Sequence, residues 1–482
     1  MNALSEKRFL NMPNGFSSLF FTQMFSTISF AVLYATLVLY MKSQLHMSSK
    51  EADLITGVYF ACNFSLHLLS GYLGGRFFSY RGLVITGIIF QLIGCVILSH
   101  GTMQSLYWGL SCMLIGTGTM VTCLNMLVSQ LFSANDVQKR QSGFLWNYSG
   151  MNLGFLLGFS LAGYFQLHVD YSMLFFITAA NNVLAVVILL TRWKYMADQN
   201  TLMSRATNKF SRYLLGFFIV LILLPILTWL LQHTHFSDDL VLSIGGIVGI
   251  ALIIIASKNT GAERNKFFAF IILLLSAQIF WIVYQLVPMG LTLFAKDNLD
   301  RHVFGFLIAP GWIPNINAVA IIIGAPLLGI LFVWLKNKMR SPLLPMQYSF
   351  GLALSAIGLL ILPIGIALSH NGYTAFIWIF ATYVLQAIAE LLISPIGYSM
   401  VGQLIPARWQ SICMGSTLLN SGVAAVLASY FSNYALGKTG SSNPVVTNPS
   451  YSHMFSQLGW ITMAVAIVLF ALTPVLNRLI RD

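Results

Sequence analysis

Apolar stretches of membrane length alternate with short polar connections from one end of this chain to the other. A stretch of about 20 apolar residues crosses a bilayer as a helix. The pattern predicts fourteen such helices, the first six at approximately 17–41, 53–74, 82–100, 103–132, 143–166 and 171–192. A basic segment follows, then two more at 212–232 and 240–257. The last six are expected at 267–295, 315–335, 346–369, 373–403, 409–436 and 456–479. The implied organisation is an N-terminal six-helix bundle (1–195), a linker with an inserted helix pair (196–262) and a C-terminal six-helix bundle (263–482).

Loop charges give the orientation, because cytoplasmic connections retain Lys and Arg. With both termini cytoplasmic, twenty of the 25 Lys and Arg lie on the inside, and only Lys42, Lys50, Lys296, Arg301 and Lys438 lie outside. Removing one helix would invert half the loops, so the charge count also supports the number of spans. Two six-helix halves around a midplane site are the architecture of major-facilitator secondary transporters, which work by alternating access. The expected fold class is therefore an all-α integral membrane protein of 6+2+6 helices, multi-pass in the cell inner membrane.

Composition narrows the function classes. The chain is 57% hydrophobic and 8% charged, whereas soluble domains carry about 25% charged residues. The net charge of +12 does not indicate nucleic acid, because the basic residues flank membrane segments and form no stripe. Cys62, Cys95, Cys112, Cys123 and Cys413 lie in apolar segments without metal-ligand spacing, so neither a disulfide framework nor a metal site is expected. The first apolar run is of full membrane length and reads as a span, not a cleavable signal peptide. No phosphate-binding loop appears, and no nucleophile–base pair suggests an enzyme. No cofactor is expected. The energy source would be the proton gradient, and the partners a small solute, protons and the bilayer, with the protein a monomer.

Of the thirteen Asp and Glu, Glu390 alone is expected deep inside an apolar segment. A lone acid there costs about 2.5–3.5 kcal/mol on the mildest insertion scales and marks a transport pathway by default. Glu390 is accordingly the expected proton-exchanging group; a structural acid bonded to a neighbouring helix is the plainer alternative. His67 is a second titratable group at membrane depth and a candidate proton carrier, although a structural histidine explains it better. Arg76 and Arg81, between the second and third helices, suit a gating loop and serve equally to fix topology. The stretch His233–Asp239 offers two His and two Asp, but a solvated turn explains it better than a metal site.

Around Glu390 the chain reads Glu390-Leu-Leu-Ile-Ser394-Pro395-Ile-Gly397. This resembles the helix-ten motif of the proton-dependent oligopeptide transporters, a family within the major facilitator superfamily. Phe144-Leu-Trp-Asn-Tyr148-Ser-Gly150-Met-Asn152-Leu-Gly154 resembles that family's second signature, and Phe280-Trp281-Ile-Val-Tyr284-Gln285 with Gly311-Trp312-Ile-Pro-Asn-Ile-Asn317 resembles its seventh and eighth helices. The resemblance implies that Glu390 meets a peptide's amino end, with Asn152, Trp281, Asn317 and Ser394 lining the same cavity. Without it, Asn152 and Asn317 read equally well as interhelical hydrogen-bonding groups, and Trp281 as an ordinary packing aromatic.

The departures from the family pattern carry as much information. Its first helix normally has Glu-x-x-Glu-Arg, where this chain has Gln23-Met-Phe-Ser26-Thr27. A second Arg is matched by Tyr34, a helix-four Lys by Val121, a helix-seven acid by Gln285 and a loop Asp by Gly75. Removing acid and base together avoids stranding either charge. A free peptide carboxylate would find no fixed cation, and desolvating it unpaired is prohibitive. The expected function is thus proton-coupled transport of small peptides or peptide-like amine-bearing solutes through an atypical cavity that includes Gln285 and Tyr34. Two alternatives stay open: a proton-exchange exporter of cationic or amphiphilic compounds, and a non-transporting sensor in which Glu390→Gln leaves function intact.

Overall fold

The computed structural model describes residues 12–132, 137–196, 198–199, 201–337, 344–437 and 442–481. Six long helices come first: α1 Phe16–Ser43, α2 Ser49–Leu73, α3 Tyr80–Leu98, α4 Met103–Gln130, α5 Val137–His168 and α6 Tyr171–Thr191. Then come α7 Lys209–Gln232 and α8 Thr234–Lys258. The remainder holds α9 Gly261–Gln285, the short α10 Thr292–Asp297, α11 Asn315–Asn337, α12 Leu344–Ala367, α13 Phe376–Leu404, α14 Ala407–Ala435 and α15 Pro444–Arg481. Among the described residues, thirteen helical segments are long and apolar enough to cross a membrane, with α9 and α10 counting as one. The fourteenth expected span is α5, whose apolar character is diluted by Asn147, Ser149, Asn152 and Ser160.

The described residues up to Thr36, together with Cys62–His233, form one compact unit; Leu37–Ala61 and the described residues from Thr234 onward form a second. In the first unit α3 and α4 meet along glycines spaced by seven residues, Gly87 and Gly94 on one helix and Gly109 and Gly116 on the other. A Cβ at Gly116 would lie 2.7 Å from the Gly87 carbonyl oxygen, and one at Gly94 2.8 Å from that of Gly109. Such close backbone approach is how helices associate without a hydrophobic driving force. Helix α7 packs on α4, where Ser111 and Thr228 share a hydrogen bond of 2.9 Å. In the second unit α8 packs on α14 and α9. Phe267, Phe270 and Leu274 of α9, Tyr348 and Leu352 of α12, and Ala389 and Ile393 of α13 form its buried core.

Three expectations are corrected. The ninth span is not one helix over 267–295: α9 ends at Gln285, and Val287–Leu291 form a wider turn in which Met289 leaves helical geometry (φ −125°, ψ −105°). Pro288 supplies no amide hydrogen there, and the Thr292 hydroxyl donates to the Val287 carbonyl at 2.7 Å. The stretch 233–239 is not a solvated loop, because α8 begins at Thr234 and Asp238 is fully buried. Nor is Glu390 the one acid inside a span. Helix α2 starts at Ser49, a turn earlier than expected, which carries Asp53 into the helix with no exposed surface.

Candidate functional site around Glu390

Helical periodicity places Gln386, Glu390, Ser394 and Gly397 along one side of α13. Asn317, in the first turn of α11, donates from Nδ2 to Glu390 Oε2 at 3.3 Å. The half-buried acid therefore has a neutral amide for a partner, and no cation forms an ion pair with it among the described residues. Expected neighbours Trp281 and Ser394 are brought together in one cavity with Thr417, Asn420 and Ser421. That cavity holds about 10 Å³, room for roughly one water. The Ser394 hydroxyl is buried there without a hydrogen-bond partner. Trp281 stands edge-on to Phe280 and Tyr284, at 5.3 and 5.4 Å between ring centroids.

Gln285 is the last residue of α9 before the helix breaks, fully buried with both amide atoms unpartnered. Gln386, one turn before Glu390, is in the same condition. Sequence reading passed over Gln386; its spacing of four from the acid was the available signal. An unpaired buried amide costs about 1–3 kcal/mol, so each of these side chains marks a place where polar partners are still to be supplied, Gln386 within a turn of the acid.

The remaining candidates belong to the first unit. Asn152 is buried on α5, and its Nδ2 donates to the Tyr148 carbonyl of its own helix at 2.9 Å. Gly150, Gly154 and Gly158 of α5 lie against Phe20, Met24, Ile28 and Ala31 of α1, where a Cβ would strike backbone oxygens. The glycines flanking Asn152 are thus explained by close packing. Tyr34 is buried and tilts against Phe30 and Phe159 at 6.0 and 6.1 Å. Gln23 and Thr27 replace charged family positions and satisfy one another: Gln23 Nε2 donates to Thr27 Oγ1 at 3.0 Å, and Thr27 Oγ1 to the Gln23 carbonyl at 2.7 Å. Ser26 donates to the same carbonyl at 3.1 Å. His67 stands edge-on to Phe64 at 6.1 Å, and its buried Nε2 has no partner.

Arg76 and Arg81 are both engaged locally. The Arg76 guanidinium lies 4.4 Å from the Tyr72 ring centroid. That of Arg81 lies over Trp193 and donates to the Trp193 carbonyl at 2.6 Å. Gly75 adopts φ +73°, a conformation that side-chain-bearing residues avoid, which accounts for glycine where the family has Asp. In the segment after α6, Asp198 accepts the Tyr80 amide at 2.9 and 3.0 Å. Burial pushes the Asp198 carboxyl up, against the Tyr80 amide, Thr201 and Arg81. Among the described residues, no group of three or more His, Cys, Asp or Glu could hold a metal ion.

A POT family model matches residues 81–446. Dipeptide and tripeptide permease A of Salmonella typhimurium is 25% identical over 478 residues, covering 98% of this chain and 94% of its own. A crystal structure of a variant of the peptide transporter POT in complex with alafosfalin superposes with a TM-score of 0.86 at 22% identity, over 98% of this chain and 97% of that one. A POT family transporter in complex with 5-aminolevulinic acid superposes at 0.82, also at 22% identity and over 98% of both chains. These structural likenesses carry the fold.

Proposed function

The chain belongs to the POT family, and we propose that it is a secondary active transporter of small peptides or peptide-like amine-bearing solutes, working by alternating access. In this reading Glu390 receives either a proton or the amino group of the solute. Asn317, Ser394, Trp281, Gln285, Asn152 and Tyr34 line the path, His67 is a second proton carrier, and Arg76 and Arg81 belong to the gating loop. The energy source is the proton gradient, with no cofactor and no enzymatic step. The protein acts as a monomer in the inner membrane with both termini cytoplasmic. Its working parts are the bundles 1–195 and 263–482, joined by 196–262.

The observation that supports this most is the contact between Glu390 and Asn317. An acid held by an amide keeps access to two states, whereas a fixed cation would hold it ionised. The self-satisfied Gln23–Thr27 pair supports the preference for amines, since those positions present no cation for a solute carboxylate. The likeness to the Salmonella dipeptide and tripeptide permease supports peptides as the solute class.

The test uses purified protein in liposomes with a trapped pH dye, challenged with dipeptides, tripeptides, amidated peptides and polyamines. One coupled proton under a one-unit pH gradient supports about tenfold accumulation. Proton movement with at least one amine-bearing class, abolished in Glu390→Gln, is the expected result. Equal proton movement in wild type and Glu390→Gln would overturn the assignment.

A further inference from the structure

We infer that Asp53 is a further proton-binding site, taking up a proton when the seam between the first half of α2 and α14 closes. This rests on the transport reading above. Asp53, Gly57 and Ala61 recur every four residues and so share one face of α2. Opposite them α14 presents Gly422, Ala425, Ser429 and Ser432. A Cβ on Gly57 would lie 2.7 Å from Ser429 Cβ and 3.2 Å from the Ala425 carbonyl oxygen. One on Gly422 would lie 3.1 Å from the Ala61 carbonyl oxygen. The seam is a backbone-close contact, and Asp53 sits at one end of it with no exposed surface.

The surroundings of Asp53 provide little for a negative charge. The Ser432 hydroxyl donates to its Oδ2, while Oδ1 has no partner. Ser432 is itself confined, since a Cβ on Gly290 would lie 2.9 Å from its Oγ. From α1 the nearby charge is Lys42, already committed to Asp297 of α10 at 2.6 Å and to the Ser442 hydroxyl at 3.2 Å. From α10, Lys296 donates to the Ser43 hydroxyl at 3.1 Å. From α15 the titratable neighbour is the phenol of Tyr451, fully enclosed and no cation. On α2 itself Lys50 and Glu51 are both exposed, and Glu51 is bonded to Ser48. A carboxylate sealed here has one hydroxyl and no cation bonded to it, an arrangement that disfavours the charged form. Closing the seam therefore forms an O–H bond on Asp53 with a proton drawn from water. Opening it returns that proton to water, and acid favours the closed seam.

The experiment measures solute exchange in liposomes with equal pH on both sides, from pH 5.5 to 8, in wild-type protein and in Asp53→Asn. A single proton-binding step changes the rate by up to about tenfold per pH unit. The profile of Asp53→Asn is expected to be shallower than that of wild type by one such step. An identical profile in the two proteins would overturn the inference. Wild-type protein is treated in parallel with an apolar carbodiimide, which modifies protonated carboxyls in apolar surroundings, and the adduct is mapped by mass spectrometry. Modification of Asp53 at neutral pH is expected, and its absence would also overturn the inference, whether or not the variants fold. If wild-type protein exchanges no solute, the transport reading fails, while the carbodiimide result still reports on Asp53.

Discussion

Replacing Gly57 tests whether the contact between α2 and α14 holds a conformational balance. Its built Cβ stands 2.7 Å from Ser429 Cβ, and ordinary contact begins at 3.4 Å, so Gly57→Ala must part the helices by about 0.7 Å. The Ser429 side chain can rotate, but the Ala425 carbonyl at 3.2 Å is backbone and yields only if the helix moves. Overpacking of this kind costs about 1–3 kcal/mol, and Gly57→Val lies at the upper end. The opposing term is helix propensity, which favours Ala over Gly by about 1 kcal/mol at most. The contact therefore wins for Val and nearly balances for Ala. A shift of 1–3 kcal/mol corresponds to about 5–150-fold in a two-state equilibrium. The assay is maleimide labelling of a single cysteine placed at Ser429, in a background whose five native cysteines are replaced. Gly57→Val should raise the labelling rate at least about fivefold and slow transport, with Gly57→Ala close to wild type. Unchanged labelling in Gly57→Val would show that the seam tolerates the side chain and that the close contact constrains nothing.

Two further outcomes follow from buried polar groups. Ser394→Ala removes a hydroxyl that has no partner, so thermal stability in detergent should hold or rise by up to about 1 kcal/mol while solute binding weakens; a clear loss of stability would mean that the hydroxyl is already satisfied. For Asp198, the folded carboxyl titrates above its ordinary value because of burial, so the folded state binds the proton more tightly than the unfolded chain. Its contribution to stability is then present at acid pH and lost as pH rises through the raised value. The stability difference between wild type and Asp198→Asn should shrink over that interval in pH-dependent thermal unfolding, and a difference independent of pH would contradict the burial argument.

The spans were legible because a bilayer requires long apolar segments whatever the tertiary structure, and α1 to α15 fall on the expected runs. What remained hidden depended on boundaries and on partners distant in sequence. Asp53 looked like an end residue until α2 was found to begin one turn earlier, at Ser49. Pro288 and Gly290 were visible, yet an apolar run gives no sign of whether a break is tolerated, since that depends on Thr292 and α14 nearby. Gly75 read as the loss of a carboxylate; the carboxylate that accepts the Tyr80 amide, Asp198, lies on the far side of four helices. For Glu390 the acid itself stood out by cost alone. Its pairing with Asn317, 73 residues away, came only through the family resemblance, and Gln386 through neither route.

The uncharged motif positions of the first helix and the amide-held acid together bear on how protons and solute would share one carboxyl. At the positions of the family's charged motif, Gln23, Ser26 and Thr27 satisfy each other within a turn, so they neither attract nor repel an incoming charge. On the proposed reading Glu390 is then the principal electrostatic feature a solute meets in its pathway. A cationic solute takes the proton's place at Glu390, because one buried carboxylate is neutralised by one positive charge and gains nothing from two. A solute neutral overall leaves the proton in place and binds beside it, using the unpaired amide of Gln386 one turn away. The first case yields exchange and the second symport on the same residues. The sign of proton movement for a cationic against a neutral member of the panel therefore separates them: opposite signs are what a single shared carboxyl requires, and the same sign for both would mean that proton and solute occupy different groups.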